Sequence, residues 1–128
     1  MNIKAFAERY TAAWCGRDAC AVAAFFSPGG SLTINDGEPA KGRAAIAEVA
    51  RSFMDAFPDL SVAMDGVEEY DGKLIYKWTL TGTNTGPGGS GKPIRISGFE
   101  EWRLGHDDLI AESRGHFDAA DYERQLER

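Results

Sequence analysis

The 128 residues predict an α+β fold, a cone-shaped α+β barrel in which a curved antiparallel sheet wraps around N-terminal helices. Two observations carry this. Apolar residues recur with a period of 3.6 up to Pro58 and with a period of 2 beyond it, so helices come first and strands after. Glycines then interrupt the long strands, which makes the sheet curl over the helices instead of lying flat. The length suits a single domain over residues 1–128 with one core, and 43% hydrophobic residues are enough to fill it.

Ile3, Phe6, Ala7, Tyr10 and Trp14 fall on one helical face, which predicts a first helix over about residues 2–15. Asp18 caps a second helix, "ACAVAAFF", expected to stop at Ser27-Pro28-Gly29-Gly30. "SLTIND" reads as a short strand ending in the turn pair Asp36-Gly37. Ile46, Val49, Ala50, Phe53, Met54 and Phe57 give a third helix closed by Pro58. Leu60, Val62 and Met64 then alternate, with a bulge expected at Gly66. After the turn "YDGK", Leu74, Tyr76, Trp78 and Leu80 share one strand face while Lys77, Thr79 and Thr81 share the other. "TGPGGSGK" is too rich in Gly and Pro for regular structure, and it lacks the strand and helix that flank a phosphate loop. Ile94–Leu104 and Leu109–Phe117 are the last strands, joined by the turn "GHDD", and Asp118 caps a C-terminal helix.

The stretch "SGFEEWRL" sets two glutamates side by side in a strand, where neighbours face opposite ways. Ile94, Ile96, Gly98, Glu100, Trp102 and Leu104 form the apolar side; Glu101 falls with Arg95, Ser97 and Arg103. Glu100 is therefore expected to point inward. Losing hydration there raises a carboxyl's pKa, and the neutral acid becomes a donor for negative charge developing on a bound oxygen.

The same reading excludes several classes. Net charge −6 argues against nucleic acid or an anionic membrane as partner. No apolar run is long enough to span a bilayer, and the first residues have no signal-peptide pattern, which points to a cytoplasmic setting. Cys15 and Cys20 form no metal-binding spacing with the two histidines, so no metal is expected.

The segments "RYTAAWCGRD", "LTINDGEPAKGRAAI", "AFPDL", "KWTLTGTNTG", "GKPIRISGFEEWRL" and "LIAESRGHFDAADYERQL" resemble the nuclear transport factor 2-like (cystatin-like) superfamily. The likeness is to its SnoaL-like polyketide cyclase and ester cyclase branch and to the ketosteroid isomerases, and it runs through nearly the whole chain. It implies a cofactor-independent isomerase or cyclase, or else a module that only binds a small hydrophobic molecule, in either case as a homodimer. In the isomerases a first-helix tyrosine donates to the substrate carbonyl, and Tyr10 takes that place. Their base ends the first strand, which matches Asp36, or Asn35 if the strand is out of phase by one. Their protonated aspartate precedes an aromatic-Arg pair by two residues, and Glu100 stands so before Trp102-Arg103. The resemblance thus implies Tyr10, Asp36 and Glu100 as catalytic. Trp14, Phe53, Trp78 and Trp102 would line the pocket, while Gly98, Ser113 and Gly115 make room. Ser113, Arg114 and Gly115 also stand where SnoaL-type cyclases carry their last-strand acid/base aspartate, which speaks against that specific chemistry.

Overall fold

The structure, a computed structural model, describes residues 1–127. Helix α1 (Ile3–Cys15) is capped by Asn2, whose Oδ1 accepts from the Ala5 N–H at 2.9 Å, and it buries Phe6, Ala7, Tyr10 and Trp14 as the spacing requires. Asp18 caps α2 (Ala19–Ala23) as expected, but this helix is a single short turn structure and not the longer "ACAVAAFF" segment. Phe26 already opens strand β1 (Phe26–Ile34), so the Ser27–Gly30 stretch lies within a strand instead of breaking a helix. The backbone there is irregular, with a register shift between Phe26 and Ser31. Gly30 permits it: a Cβ would sit 2.8 Å from the Ile110 carbonyl oxygen, too close for any side chain.

A two-residue strand, β2 (Ala40–Lys41), precedes α3 (Arg43–Ala56) and had no signature in the pattern. Gly42, at φ 86°, turns the chain into α3, a conformation that side chains resist. The Arg43 Nε donates to the Phe26 carbonyl at 2.9 Å and ties the helix start to β1. Strands β3 (Ser61–Tyr70), β4 (Lys73–Thr83), β5 (Pro93–Leu104) and β6 (Ile110–Phe117) follow, then α4 (Ala119–Leu126), capped by Asp118. The bulge expected at Gly66 is present as a register shift between Met64 and Gly66.

The sheet is six-stranded in the order β2-β1-β6-β5-β4-β3. All pairings are antiparallel except β1 with β6, which is parallel. Only that pairing brings the end of the first strand to the last one, because the β3–β6 meander must return to β1 to close the cone. α1 packs on β3, and α3 on α2 and β1, so the helices fill the concave side. Tyr10, Phe26, Phe57, Tyr76 and Trp102 are fully buried in the core. No described helix is long and apolar enough to cross a membrane.

Candidate functional site

Glu100 faces the interior. The burial of β5 alternates as its sequence does, with Ile94, Ile96, Glu100 and Trp102 buried while Arg95, Ser97 and Arg103 are exposed. Its neighbour Glu101 lies on the outer face, 3.6 Å from the Lys73 ammonium and 3.2 Å from His116 Nε2. Glu100 retains 8% of its surface.

Donors from three further residues hold the buried carboxyl. Trp102, two residues on and hence on the same face, donates its indole N–H to Glu100 Oε1 at 2.9 Å. Ser113, which pairs with Trp102 across β5 and β6, donates to the same oxygen at 2.7 Å. The Tyr10 hydroxyl, reaching in from α1, lies 3.1 Å from Oε1 and 3.2 Å from Oε2. Oε1 is thus saturated, whereas Oε2 has only the Tyr10 hydroxyl within hydrogen-bond distance. Burial pushes the Glu100 pKa above its ordinary value, and the bonds from Trp102, Ser113 and Tyr10 pull part of the way back. Burial, with the negative charge of Glu100 beside it, pushes the Tyr10 phenol well up, so Tyr10 stays a neutral donor.

Aromatic rings fix this arrangement. Tyr76 stacks on Trp102 with centroids 4.8 Å apart, and Tyr10 meets Trp102 edge-on at 5.1 Å and Tyr76 at 5.3 Å. The Tyr76 hydroxyl bonds Thr11 Oγ1 at 2.5 Å, and Thr11 donates onward to the Ala7 carbonyl at 2.8 Å, which orients both rings.

In front of Glu100 lies a cavity of about 70 Å³, lined by Tyr10, Trp14, Phe53, Tyr76, Trp78, Gly115 and Tyr122 together with aliphatic side chains of β1, β3, β4, β5 and α3. That volume holds several waters or a compact apolar group, since one water needs roughly 10–15 Å³. A Cβ on Gly115 would stand 3.8 Å from Glu100 Cγ, an ordinary contact, so this glycine widens the cavity and relieves no clash.

The structure therefore brings Tyr10 and Glu100 together, with Trp14, Phe53, Trp78 and Gly115 on the cavity wall. Trp102 and Ser113 do not line it; both have no exposed surface and sit behind Glu100 as its donors. Gly98 is covered by the Trp78 ring: a Cβ there would be 2.6 Å from Trp78 Cζ2 and 2.3 Å from the His116 carbonyl oxygen. A Gly98→Ala substitution is accordingly expected to displace Trp78 or β6 and to cost about 1–3 kcal/mol, read as a lower midpoint in urea. An unchanged midpoint would contradict this packing.

Asp36 is not brought to Tyr10 and Glu100. It is exposed in the turn after β1 and borders a second, open cavity of about 640 Å³ with Asn35, Ser97, Phe99, His116 and Asp118. Asn35, at φ 50°, accepts from the Phe117 N–H at 3.0 Å and so clamps the β1 end to β6. The chain turns away from the cone one residue before Asp36. Among the described residues no group of three or more His, Cys, Asp or Glu side chains is placed to hold a metal ion. Residues that the pattern did not single out are Tyr76, visible on the inward face of its strand, and Tyr122, for which the sequence carried no signal.

Comparison with known proteins agrees with this fold. A hypothetical protein with a ketosteroid isomerase-like fold from Catenulispora acidiphila, solved with trimethylamine, superimposes with a TM-score of 0.82 at 15% identity, over 94% of this chain and 91% of that one. An NTF2-like protein of unknown function from Burkholderia pseudomallei gives 0.83 at 18% identity, over 100% and 99%. SalBIII, described as an epoxide hydrolase/cyclase-like enzyme in pyran ring formation in the polyether salinomycin, gives 0.78 at 18% identity, over 92% of each chain. At these identities the likeness is one of fold. No curated protein sequence matches significantly. The family model of the SnoaL-like polyketide cyclase matches residues 4–126, so the chain belongs to the SnoaL-like family.

Proposed function

We propose that this chain is a small-molecule enzyme of the isomerase or cyclase type, in which Glu100 moves a proton to or from an oxygen-bearing, largely apolar substrate held in the cone. The observation that supports this most is the asymmetric carboxyl. Oε1 accepts from Trp102, Ser113 and Tyr10, so a proton on the neutral acid belongs on Oε2, the oxygen left with one neighbour. Trp102 offers a donor only and cannot take that proton. An acid with a raised pKa facing an apolar cavity is suited to protonate a carbonyl, epoxide or lactone oxygen and to recover the proton later. The Tyr10 hydroxyl is within hydrogen-bond distance of both Glu100 oxygens, so in this reading it positions the acid. Asp36 takes no part.

The test is turnover by the full chain across ketone, lactone and epoxide panels. Glu100→Gln is expected to lower kcat by about 10²–10⁴-fold, while Asp36→Asn leaves it within about twofold of the parent. Loss in the Asp36 variant with retention in the Glu100 variant would overturn the assignment.

One observation favours a second reading, binding without chemistry: the cavity wall is otherwise apolar and the carboxyl is already bonded internally. Saturable binding with no turnover on any panel would select it. We also propose a homodimer through the outer sheet face. Phe99 stacks on His116 at 4.8 Å there, and Thr79 is buried by bonds to Asp65 and Ser97. Sedimentation showing a monomer at micromolar concentration would refute it.

A further inference from the structure

The cavity in front of Glu100 takes its wall from α1, α3, α4 and strands β1 and β3 to β6. Among the described residues, each of these elements buries side chains of its own in the core except α4, which buries none. α4 contributes the half-buried Tyr122, whose ring meets Phe57 at 6.3 Å and Phe117 at 5.5 Å, both edge-on. Leu126, one turn on, is half-buried as well. A helix of eight residues is too short to persist alone in water, where roughly 12–15 are needed. α4 is therefore helical because it is docked.

One side chain completes the docking. β6 ends at Phe117, which pairs with Gly98, so the β5–β6 ladder does not reach the first residues of β5. Gln125 serves that stretch instead. The Arg95 N–H donates to Gln125 Oε1 at 2.7 Å, and Gln125 Nε2 donates to the Arg95 carbonyl oxygen at 3.0 Å and to Asp121 Oδ2 at 3.0 Å. The side-chain amide thus stands where a neighbouring strand would satisfy the backbone. Arg95 is exposed, so both of its backbone groups turn to water when Gln125 leaves. The latch is worth two neutral hydrogen bonds and no more.

We infer that α4 is a lid on the cavity, latched by Gln125, and that an uncharged apolar ligand holds it shut through contact with Tyr122. The lid pivots at Asp118, directly after β6, and opens by local unfolding while the sheet stays intact. A ligand that touches docked α4 binds that state better and shifts the population toward it. This rests on the cavity being the ligand site, as proposed above, and adds that occupancy and α4 docking are coupled.

The experiment is amide hydrogen exchange on the full chain, isotope-labelled, with benzene as probe, a molecule that apolar protein cavities take up. The Tyr122 N–H, bonded to the Asp118 carbonyl at 3.0 Å, reports α4, and the β4–β5 amides around Glu100 report the core. Tyr122 is expected to exchange much faster than those amides. Gln125→Ala should speed it about 25-fold, about fivefold for each lost bond, and leave the core amides unchanged. Benzene at about ten times its Kd should slow Tyr122 exchange about tenfold and shift the methyl signals of Leu32 and Val49, which line the cavity. Tyr122 exchange at the core rate in the parent overturns the lid, as does equal acceleration of both by Gln125→Ala. Methyl shifts with Tyr122 exchange unchanged also overturn it, while the cavity keeps its ligand and the reading above stands. If benzene shifts no methyl signal, both fall together.

Discussion

Glu100→Gln is expected to make the protein more heat-stable at neutral pH and, under the function proposed above, to lower turnover. Burial raises the Glu100 pKa, so the folded chain holds this proton more tightly than the unfolded chain does. Below the ordinary value of 4.5 both states are protonated, and the group contributes its full share to stability. As pH rises through 4.5 the unfolded chain ionises first, and stability falls until the folded carboxyl ionises as well. Glutamine has no proton to lose. Its amide oxygen accepts from Trp102 and Ser113, and its NH₂ group faces the Tyr10 oxygen. The midpoint difference between variant and parent should therefore be small at about pH 4 and widen to several degrees by about pH 8. A difference that stays constant over that range would show a carboxyl that does not resist ionisation. The acid reading would then be lost with it. Tyr10→Phe gives a check on direction: it removes a bond that favours the ionised form in the folded chain, so the fall should still begin near 4.5 but continue to a higher pH and to a greater total loss.

Trp102→Ala is expected to have the largest effect on stability, about 3–5 kcal/mol, against a total of about 5–15 kcal/mol for a domain of this kind. The indole is completely buried, stacks on Tyr76, and meets Phe6 and Tyr10 edge-on, so its loss opens a void that several rings border. It also leaves the saturated oxygen of Glu100 with one donor fewer. Trp102→Phe separates these two losses. It keeps much of the ring packing but not the N–H, so it should cost less and push the Glu100 pKa further up. Urea denaturation of both variants, with the pH dependence of each, reads the two contributions apart. Equal destabilisation by Phe and Ala would mean that the indole N–H, and not the packing, dominates.

The inward direction of Glu100 was legible because strand alternation is a local property. Once Ile94, Ile96 and Trp102 fix the apolar face, the carboxyl between them has no other side to take. The stripe of α1, the Asp18 and Asp118 caps and the Gly66 bulge were legible for the same reason. Other features were set by partners far away in the chain. The end of α2 was overrun because Phe26 is drawn into the sheet beside Ile110. Asp36 looked equivalent to an inward residue only while the first strand was assumed to keep its phase to the end. The left-handed turn at Asn35 and its bond to the Phe117 N–H take the chain out of the cone first.

By itself the sequence determined the helix-then-strand order, the faces of the long strands and the presence of an acid on the apolar one. All of these follow from periodicity and capping, which act over a few residues. Tertiary structure alone decided which donors surround that acid, since Tyr10 and Ser113 reach it from separate elements. It also decided that Asp36 lies outside and that the cavity in front of Glu100 is about 70 Å³. Contacts between residues distant in sequence depend on how the sheet closes on its helices, and no local pattern records that closure.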